Sequence, residues 1–129
     1  MQSEMGMKST VARLARIAPE LPVKDLREAL SCYTRELGFE IATQMPDGDY
    51  AIVERDGITI HLFEDKSGAC TPVGIHIFTP DIEELFAEFE ERGAQIIQGI
   101  ERKPWGTRDF RLKDTFGNEL KFTEPQAEE

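Results

Sequence analysis

The spacing of apolar residues switches between the two-residue period of a strand and the longer period of a helix, and it does so twice along the chain. Leu21 and Val23 alternate with other residues, as in a half-buried strand. Apolar residues then recur every three or four positions, which predicts one buried helix stripe formed by Leu26, Ala29, Leu30, Tyr33 and Leu37. Asp25 is placed to cap the start of this helix, and Gly38 to end it in the left-handed conformation.

Extended segments follow the first predicted helix. Phe39 and Ile41 open one of them. Residues 50–54 and 58–63 read as two further strands joined at Asp56-Gly57, a dipeptide typical of tight hairpin turns. The first half of the chain therefore reads as strand, helix and three strands.

The second half repeats this order. A strand over 74–78 precedes Asp81, a second candidate cap, and a helix that ends near Gly93 and carries the apolar stripe Ile82, Leu85, Phe86 and Phe89. Three extended segments follow, around 96–97, 106–112 and 119–123. The sequence predicts an α+β fold in which two βαβββ modules form a single domain over 1–129, with module one at about 12–66, module two at about 73–124 and a flexible arm over 1–11.

One helix cannot cover both faces of its own sheet, so the two modules are expected to pack around a shared core. This packing predicts a curved mixed sheet that forms a cup, with the helices on its outer face. Because side chains alternate along a strand, every second residue points into the cup, and this concave face is the expected place for a ligand.

Charge and composition exclude several classes of protein. The chain has 15 Lys and Arg against 25 Asp and Glu, a formal charge of −10, which disfavours nucleic acid and favours cationic partners. No apolar run approaches the roughly 20 residues of a membrane helix. The first residues lack a secretory signal pattern, so a cytoplasmic location is expected. Cys32 and Cys70 are too few for a disulfide framework and are interpreted as reduced thiols.

Two motifs identify a family resemblance. Residues 21–26 leading into 33–39, and residues 112–120 near the end, resemble the vicinal oxygen chelate superfamily, which contains glyoxalase I, extradiol dioxygenases and bleomycin-resistance binding proteins. The resemblance covers about 17 to 124. Pro104-Trp105-Gly106 followed by Arg108 and Phe110, together with residues 50–56, is similar to the bleomycin-resistance branch in particular.

The enzymes of this superfamily hold a divalent metal with four inward-facing residues, typically His and Glu. The resemblance places the corresponding positions here at Ala18, His61, Gly74 and Lys121. Ala and Gly have no donor atom and Lys is normally cationic, so only His61 can bind a metal, and a held metal needs about three protein ligands. We therefore predict no metal and no cofactor; a makeshift pair of His61 and His76 is the alternative.

The resemblance then implies a protein that sequesters a small molecule, either a bleomycin-type antibiotic or an unknown metabolite, in a groove between subunits. The open edges of the sheet and the resemblance predict a homodimer that closes those edges by strand exchange between subunits. The arm before Ile17 then crosses to the other subunit; the alternative is a frayed arm. The side chains expected to line the ligand groove are Trp105, Tyr50, His61, Phe63, His76, Phe78, Arg108 and Lys121. For the aromatic residues the alternative is ordinary packing, and for Arg108 a solvated side chain.

Three other functions stay open from the sequence. One is a metal-dependent enzyme of the glyoxalase or dioxygenase kind acting on a small metabolite. Another is an enzyme that uses His61 as a general base and Lys121 to orient its substrate. A third is a purely structural or regulatory partner. The positive charge that His61 and Lys121 can bring into the cup suits an anionic ligand better than a cationic one.

Overall fold

Each half of the chain folds as one strand, one helix and three further strands, which confirms the predicted α+β class. The computed structural model describes residues 12–125. Module one contains β1 (Glu20–Val23), α1 (Leu26–Ser31) with a π-helical continuation (Cys32–Glu36), β2 (Glu40–Gln44), β3 (Tyr50–Arg55) and β4 (Ile58–Glu64). Module two contains β5 (Gly74–Phe78), α2 (Ile82–Arg92), β6 (Gln95–Arg102), β7 (Arg108–Lys113) and β8 (Glu119–Glu124).

The eight strands form two four-stranded mixed sheets, one in each module. Their strand orders are β1-β4-β3-β2 and β5-β8-β7-β6, so the two sheets have the same topology. In each sheet the first strand pairs parallel with the last, and the other neighbours are antiparallel. The repeat seen in the sequence is therefore a repeat of the whole folding unit.

Local signals fix most of the element boundaries. The Asp25 carboxylate accepts a hydrogen bond of 3.0 Å from the amide of Glu28, which confirms it as the cap of α1. Gly38 ends the helix with a φ of 73°, and Asp56-Gly57 turns the β3–β4 hairpin. Asp81 differs from the prediction: it precedes α2, but its side chain makes no capping hydrogen bond within the described residues.

The first strand contains the predicted pair Leu21 and Val23. Regular pairing begins only at Glu20, and residues 12–19 belong to no strand or helix. Pro19 has no amide hydrogen to donate, although its carbonyl accepts a hydrogen bond of 3.0 Å from the amide of His61. The predicted arm over 1–11 lies outside the described residues.

Both modules contribute to one apolar core. In module one, Ala51, Val53, Ile60 and Leu62 are fully buried on the sheet face that α1 covers. In module two, Phe110 packs against Phe86 and Phe89 of α2. The opposite face of each sheet carries the alternate side chains, and we call it the open face of that module. None of the helices formed by residues 12–125 is long and apolar enough to cross a membrane.

Polar contacts join the two modules. The Tyr33 hydroxyl of module one donates a 2.9 Å hydrogen bond to the carboxylate of Asp114 in module two. Arg55, at the end of β3, donates to both carboxylate oxygens of Glu88 on α2 at 2.8 and 3.0 Å. A bidentate guanidinium–carboxylate pair restricts geometry in two directions, so it sets the orientation of one module against the other.

Candidate functional site

The open face of module one carries a hydrogen-bonded cluster centred on Tyr50. The Tyr50 hydroxyl lies 2.8 Å from a Glu20 carboxylate oxygen and 2.5 Å from Nδ1 of His61. The Tyr50 and His61 rings meet edge to face, with centroids 5.7 Å apart. Phe63 is the direct cross-strand partner of Tyr50. The structure thus brings three of the predicted site residues together on one surface.

One arrangement of protons satisfies the hydrogen bonds of all three side chains in this cluster. If Nδ1 of His61 carries a hydrogen, it donates to the Tyr50 oxygen, and the Tyr50 hydroxyl then donates to Glu20, which leaves Nε2 of His61 as an acceptor. Desolvation, followed by the hydrogen bond to Glu20 and its negative charge, raises the pKa of Tyr50. The phenol is therefore neutral at pH 7 and acts as a hydrogen-bond donor.

Glu20 is a site residue that the sequence did not reveal. The family resemblance pointed to Ala18 as the inward position of the first strand, but Ala18 precedes β1, and Glu20 is the residue in register with His61. Regular pairing begins after Pro19, so Ala18 lies ahead of β1, and its correspondence to a ligand position of the family stays a prediction. Glu20 lies two residues after Ala18, and in an extended segment two such residues point to the same side. The ionisable side chain of Glu20 was the signal in the sequence that could have identified it as a site residue.

The open face of module two carries a second cluster, built around His76. The His76 ring stacks on Phe78, with centroids 4.4 Å apart and ring planes 29° from parallel. Its Nε2 lies 2.6 Å from the Thr123 hydroxyl, and Lys121 is its cross-strand partner. Desolvation, and after it the positive charge of Lys121, lowers the pKa of His76. The imidazole is therefore neutral at pH 7.

Two predicted residues lie elsewhere. Arg108, at the start of β7, donates to Glu124 at 2.7 and 3.0 Å and to Glu83 at 2.9 Å. Those ion pairs connect β7 with β8 and α2, so its guanidinium already has protein partners. Trp105 lies in the turn between β6 and β7, and 64% of its surface is exposed.

No described hydrogen bond or ring contact joins the two clusters. The described hydrogen bonds and ring contacts of Tyr50 and His61 stay within module one. Those of His76 and Phe78 stay within module two. Each open face is therefore one wall of a site rather than a closed pocket.

A cleft of about 700 Å³ lies between the modules rather than over either open face. Of the predicted site residues, only Phe78 lines it. Its polar lining includes Arg55 and Glu88, which are already bonded to each other. The carboxylates of Asp56, Asp81 and Glu84 also line it. We favour the open faces as the site because the predicted residues cluster there.

The residues present do not fit the metal of the superfamily's enzymes. Within residues 12–125, no group of three or more His, Cys, Asp or Glu side chains is close enough together to hold a metal ion. Ala18 and Gly74 have no donor atom, and Lys121 is cationic. Glu20 and His61 supply two donors, one fewer than a held metal needs.

Comparison with known proteins agrees with this fold. The family model described as Glyoxalase/Bleomycin resistance protein/Dioxygenase superfamily matches residues 13–122. An uncharacterised protein of Mycobacterium bovis is 28% identical over 131 residues, covering 87% of this chain and 84% of that protein.

Two solved structures share the fold. A bleomycin resistance determinant encoded on the transposon Tn5 has a TM-score of 0.76 and 21% identity, covering 86% of this chain and 98% of that one. Lactoylglutathione lyase from Agrobacterium tumefaciens has a TM-score of 0.71 and 19% identity, covering 88% and 95%. At these identities the likeness shows the fold alone.

Proposed function

Because this chain belongs to the Glyoxalase/Bleomycin resistance protein/Dioxygenase superfamily, we propose that it sequesters a small molecule, a drug or a metabolite, without converting it. The observation that carries the proposal is the pair of open faces. Each has aromatic rings beside hydrogen-bonding groups, the combination typical of small-molecule sites. Within a single chain, the two donors Glu20 and His61 are one fewer than the three that a held metal needs.

The proposed groove forms between two copies of the chain, where the Tyr50 face of one copy opposes the His76 face of the other. Two observations support a dimer. The edge strand β5 carries Phe78 with 60% of its surface exposed. Leu14 and Ile17, ahead of β1, are 99% and 93% exposed, which favours an arm that packs against another copy. A cytoplasmic location and a role in drug resistance are parts of the same proposal.

The dimer predicts a mass of twice that of the chain at micromolar concentration, measured by size-exclusion chromatography with light scattering. Replacing both Leu14 and Ile17 by Glu should weaken association at least about tenfold, because it removes apolar area from the contact and adds two charges. Met45→Glu is the control, since Met45 is another exposed apolar residue, at 45%, and lies outside the arm. If the unmodified chain has the mass of a monomer, the proposed groove between two copies does not form.

Ligand binding is tested first with bleomycin, the drug class that the Tn5 neighbour is named for. Calorimetric titration with metal-free and copper-loaded bleomycin should give micromolar or tighter affinity at two sites per dimer if the ligand is of that class. Tyr50→Ala should weaken binding about tenfold, through loss of one stacked ring and its hydrogen bond.

Two results would contradict sequestration. One is the absence of binding to bleomycin and to a broad metabolite library. The other is that the unmodified chain turns over a hemithioacetal or a catechol and that His61→Asn abolishes this turnover. That result would favour an enzyme with His61 as its base. The hydrogen bond between Tyr50 and His61 favours that second candidate, because it orients Nε2 of the imidazole.

A further inference from the structure

Within the described residues Lys121, like Lys113, makes no ion pair, although several other basic residues of module two do. Arg108, Arg111 and Lys103 all make ion pairs, at 2.7, 2.8 and 3.1 Å. Within residues 12–125, no carboxylate lies within ion-pair distance of the Lys121 nitrogen. Lys121 is partly buried on the face opposite the core residues Leu120 and Phe122, and an ammonium withdrawn from water without a partner is unfavourable. An anion at this point would supply the missing charge.

Acidic neighbours on the open face do not meet this need. The Asp109 carboxylate is buried, accepts a 2.7 Å hydrogen bond from the Gln98 amide, and lies 3.7 Å from the Lys103 nitrogen. Glu119 is bonded to Arg111 at 2.8 Å. Both negative charges are therefore compensated by other cations.

A flat surface lies beside Lys121. The imidazole of His76, its cross-strand partner, is held by Thr123 and stacked on Phe78. Phe78 lies on an edge strand with more than half of its surface exposed, so the ring can accept a second aromatic group. A cation and an aromatic platform therefore stand next to each other.

The net charge of −10 does not prevent an anion from binding beside Lys121. At physiological salt, exposed charges farther than about 8 Å are largely screened, whereas direct contact with a partly buried ammonium is not. Beside Lys121, the Nε of Arg111 is also buried and makes no hydrogen bond within the described residues. Cationic groups thus dominate the immediate surroundings.

Resting on the proposed small-molecule function, we infer that the ligand is a planar aromatic anion whose carboxylate or phosphate contacts Lys121 and whose ring stacks on Phe78. The inference narrows the ligand class beyond a drug or metabolite in general. It also sets the site apart from one that selects cationic drugs.

Four matched probes test the inference by calorimetry: naphthalene-2-carboxylate, 2-naphthyl phosphate, naphthalene-2-carboxamide and 2-naphthylmethylammonium. At least one anion should bind about tenfold more tightly than the amide, and the ammonium more weakly than the amide, because a charge-assisted contact is roughly twice as strong as a neutral one. The tighter of the two anions identifies carboxylate or phosphate as the natural group.

Lys121→Met should remove the preference for anions and leave the affinity for the amide within about twofold, since only the charged contact is lost. Lys24→Met, which removes an exposed lysine outside both open faces, is the matched control and should change neither affinity. In Lys121→Met the NMR titration of His76 should also move to higher pH, which checks that the variant is folded and that the two side chains are neighbours.

The possible failures are distinct. If the ammonium or the amide binds best, or if Lys121→Met keeps the preference for anions, the inference is wrong and sequestration stands. Absence of binding by both anions also overturns the inference. If none of the four probes, bleomycin or the metabolite library binds, the proposed function falls with it.

Discussion

Asp114→Ala is expected to lower the free energy of unfolding by about 3–5 kcal/mol, the range for removing one partner from a buried charged network. The Asp114 carboxylate is 2% exposed and is hydrogen-bonded on both oxygens. Oδ1 accepts from the amides of Phe116 and Asn118 at 2.8 and 2.9 Å. Oδ2 accepts from the Tyr33 hydroxyl and the Asn118 side chain, both at 2.9 Å. Alanine leaves four donors without their partner.

The effect is large because this carboxylate joins distant parts of the chain. Asn118, which Asp114 orients, donates to the carbonyl of Pro22 in β1 at 2.9 Å and accepts from the amide of Val73 at the same distance. Tyr33 belongs to the helical segment of module one. Loss of Asp114 therefore affects the turn before β8, the start of β5 and the junction between modules together.

Urea unfolding followed by circular dichroism measures this change, at one protein concentration because dimerisation would shift the midpoint. Tyr33→Phe removes a single hydrogen bond and should cost about 1–2 kcal/mol. Glu91→Ala, at an exposed carboxylate in the last turn of α2, is the acidic control and should stay within about 0.5 kcal/mol of the unmodified chain. Equal losses for Glu91→Ala and Asp114→Ala would show that the network does not stabilise the fold.

The sequence predicted this turn but not its function in the fold. Residues 114–118 read as a turn because Asp, Gly and Asn favour such geometry. Tyr33 was assigned to the apolar stripe of its helix, and its burial confirms that assignment. The bond between them joins residues 81 positions apart. Periodicity places a side chain on a face of its own element, and it carries no information on which distant polar group that face meets.

The candidate site shows the same limit. Alternation correctly placed Tyr50, His61 and Phe63 on the face opposite the buried Ala51 and Leu62. It could not indicate how the Tyr50 and His76 clusters lie relative to each other, because the relative position of two modules depends on contacts such as Arg55–Glu88. Glu20 was missed for a local reason, because β1 begins only after Pro19.

Phe110→Ala is the second change expected to have a large effect, a loss of about 3–5 kcal/mol in the free energy of unfolding. Phe110 is fully buried at the centre of an aromatic cluster. Its ring centroid lies 5.2 Å from that of Phe86 and 6.1 Å from that of Phe89, both on α2, and 5.1 Å from that of Phe122 on β8. Truncation removes the ring contacts between sheet and helix and leaves a cavity that the surrounding rings fill only in part.

Two further variants separate burial from the loss of a ring as such. Phe110→Leu keeps most of the volume and should cost less than half as much, because the cavity is smaller. Phe78→Ala makes the same chemical change at a ring that is exposed in the single chain, and it should cost less than about 1 kcal/mol at a protein concentration that keeps the chain monomeric. The urea midpoint should be lowest for Phe110→Ala, higher for Phe110→Leu and highest for Phe78→Ala, with the slope of unfolding against urea unchanged. This order would support a core in which Phe110 holds α2 against its sheet. If Phe78→Ala instead costs as much as Phe110→Ala, the Phe78 ring is buried in solution, as it would be between two copies of the chain. The loss of stability would then depend on protein concentration, which would reveal the interface.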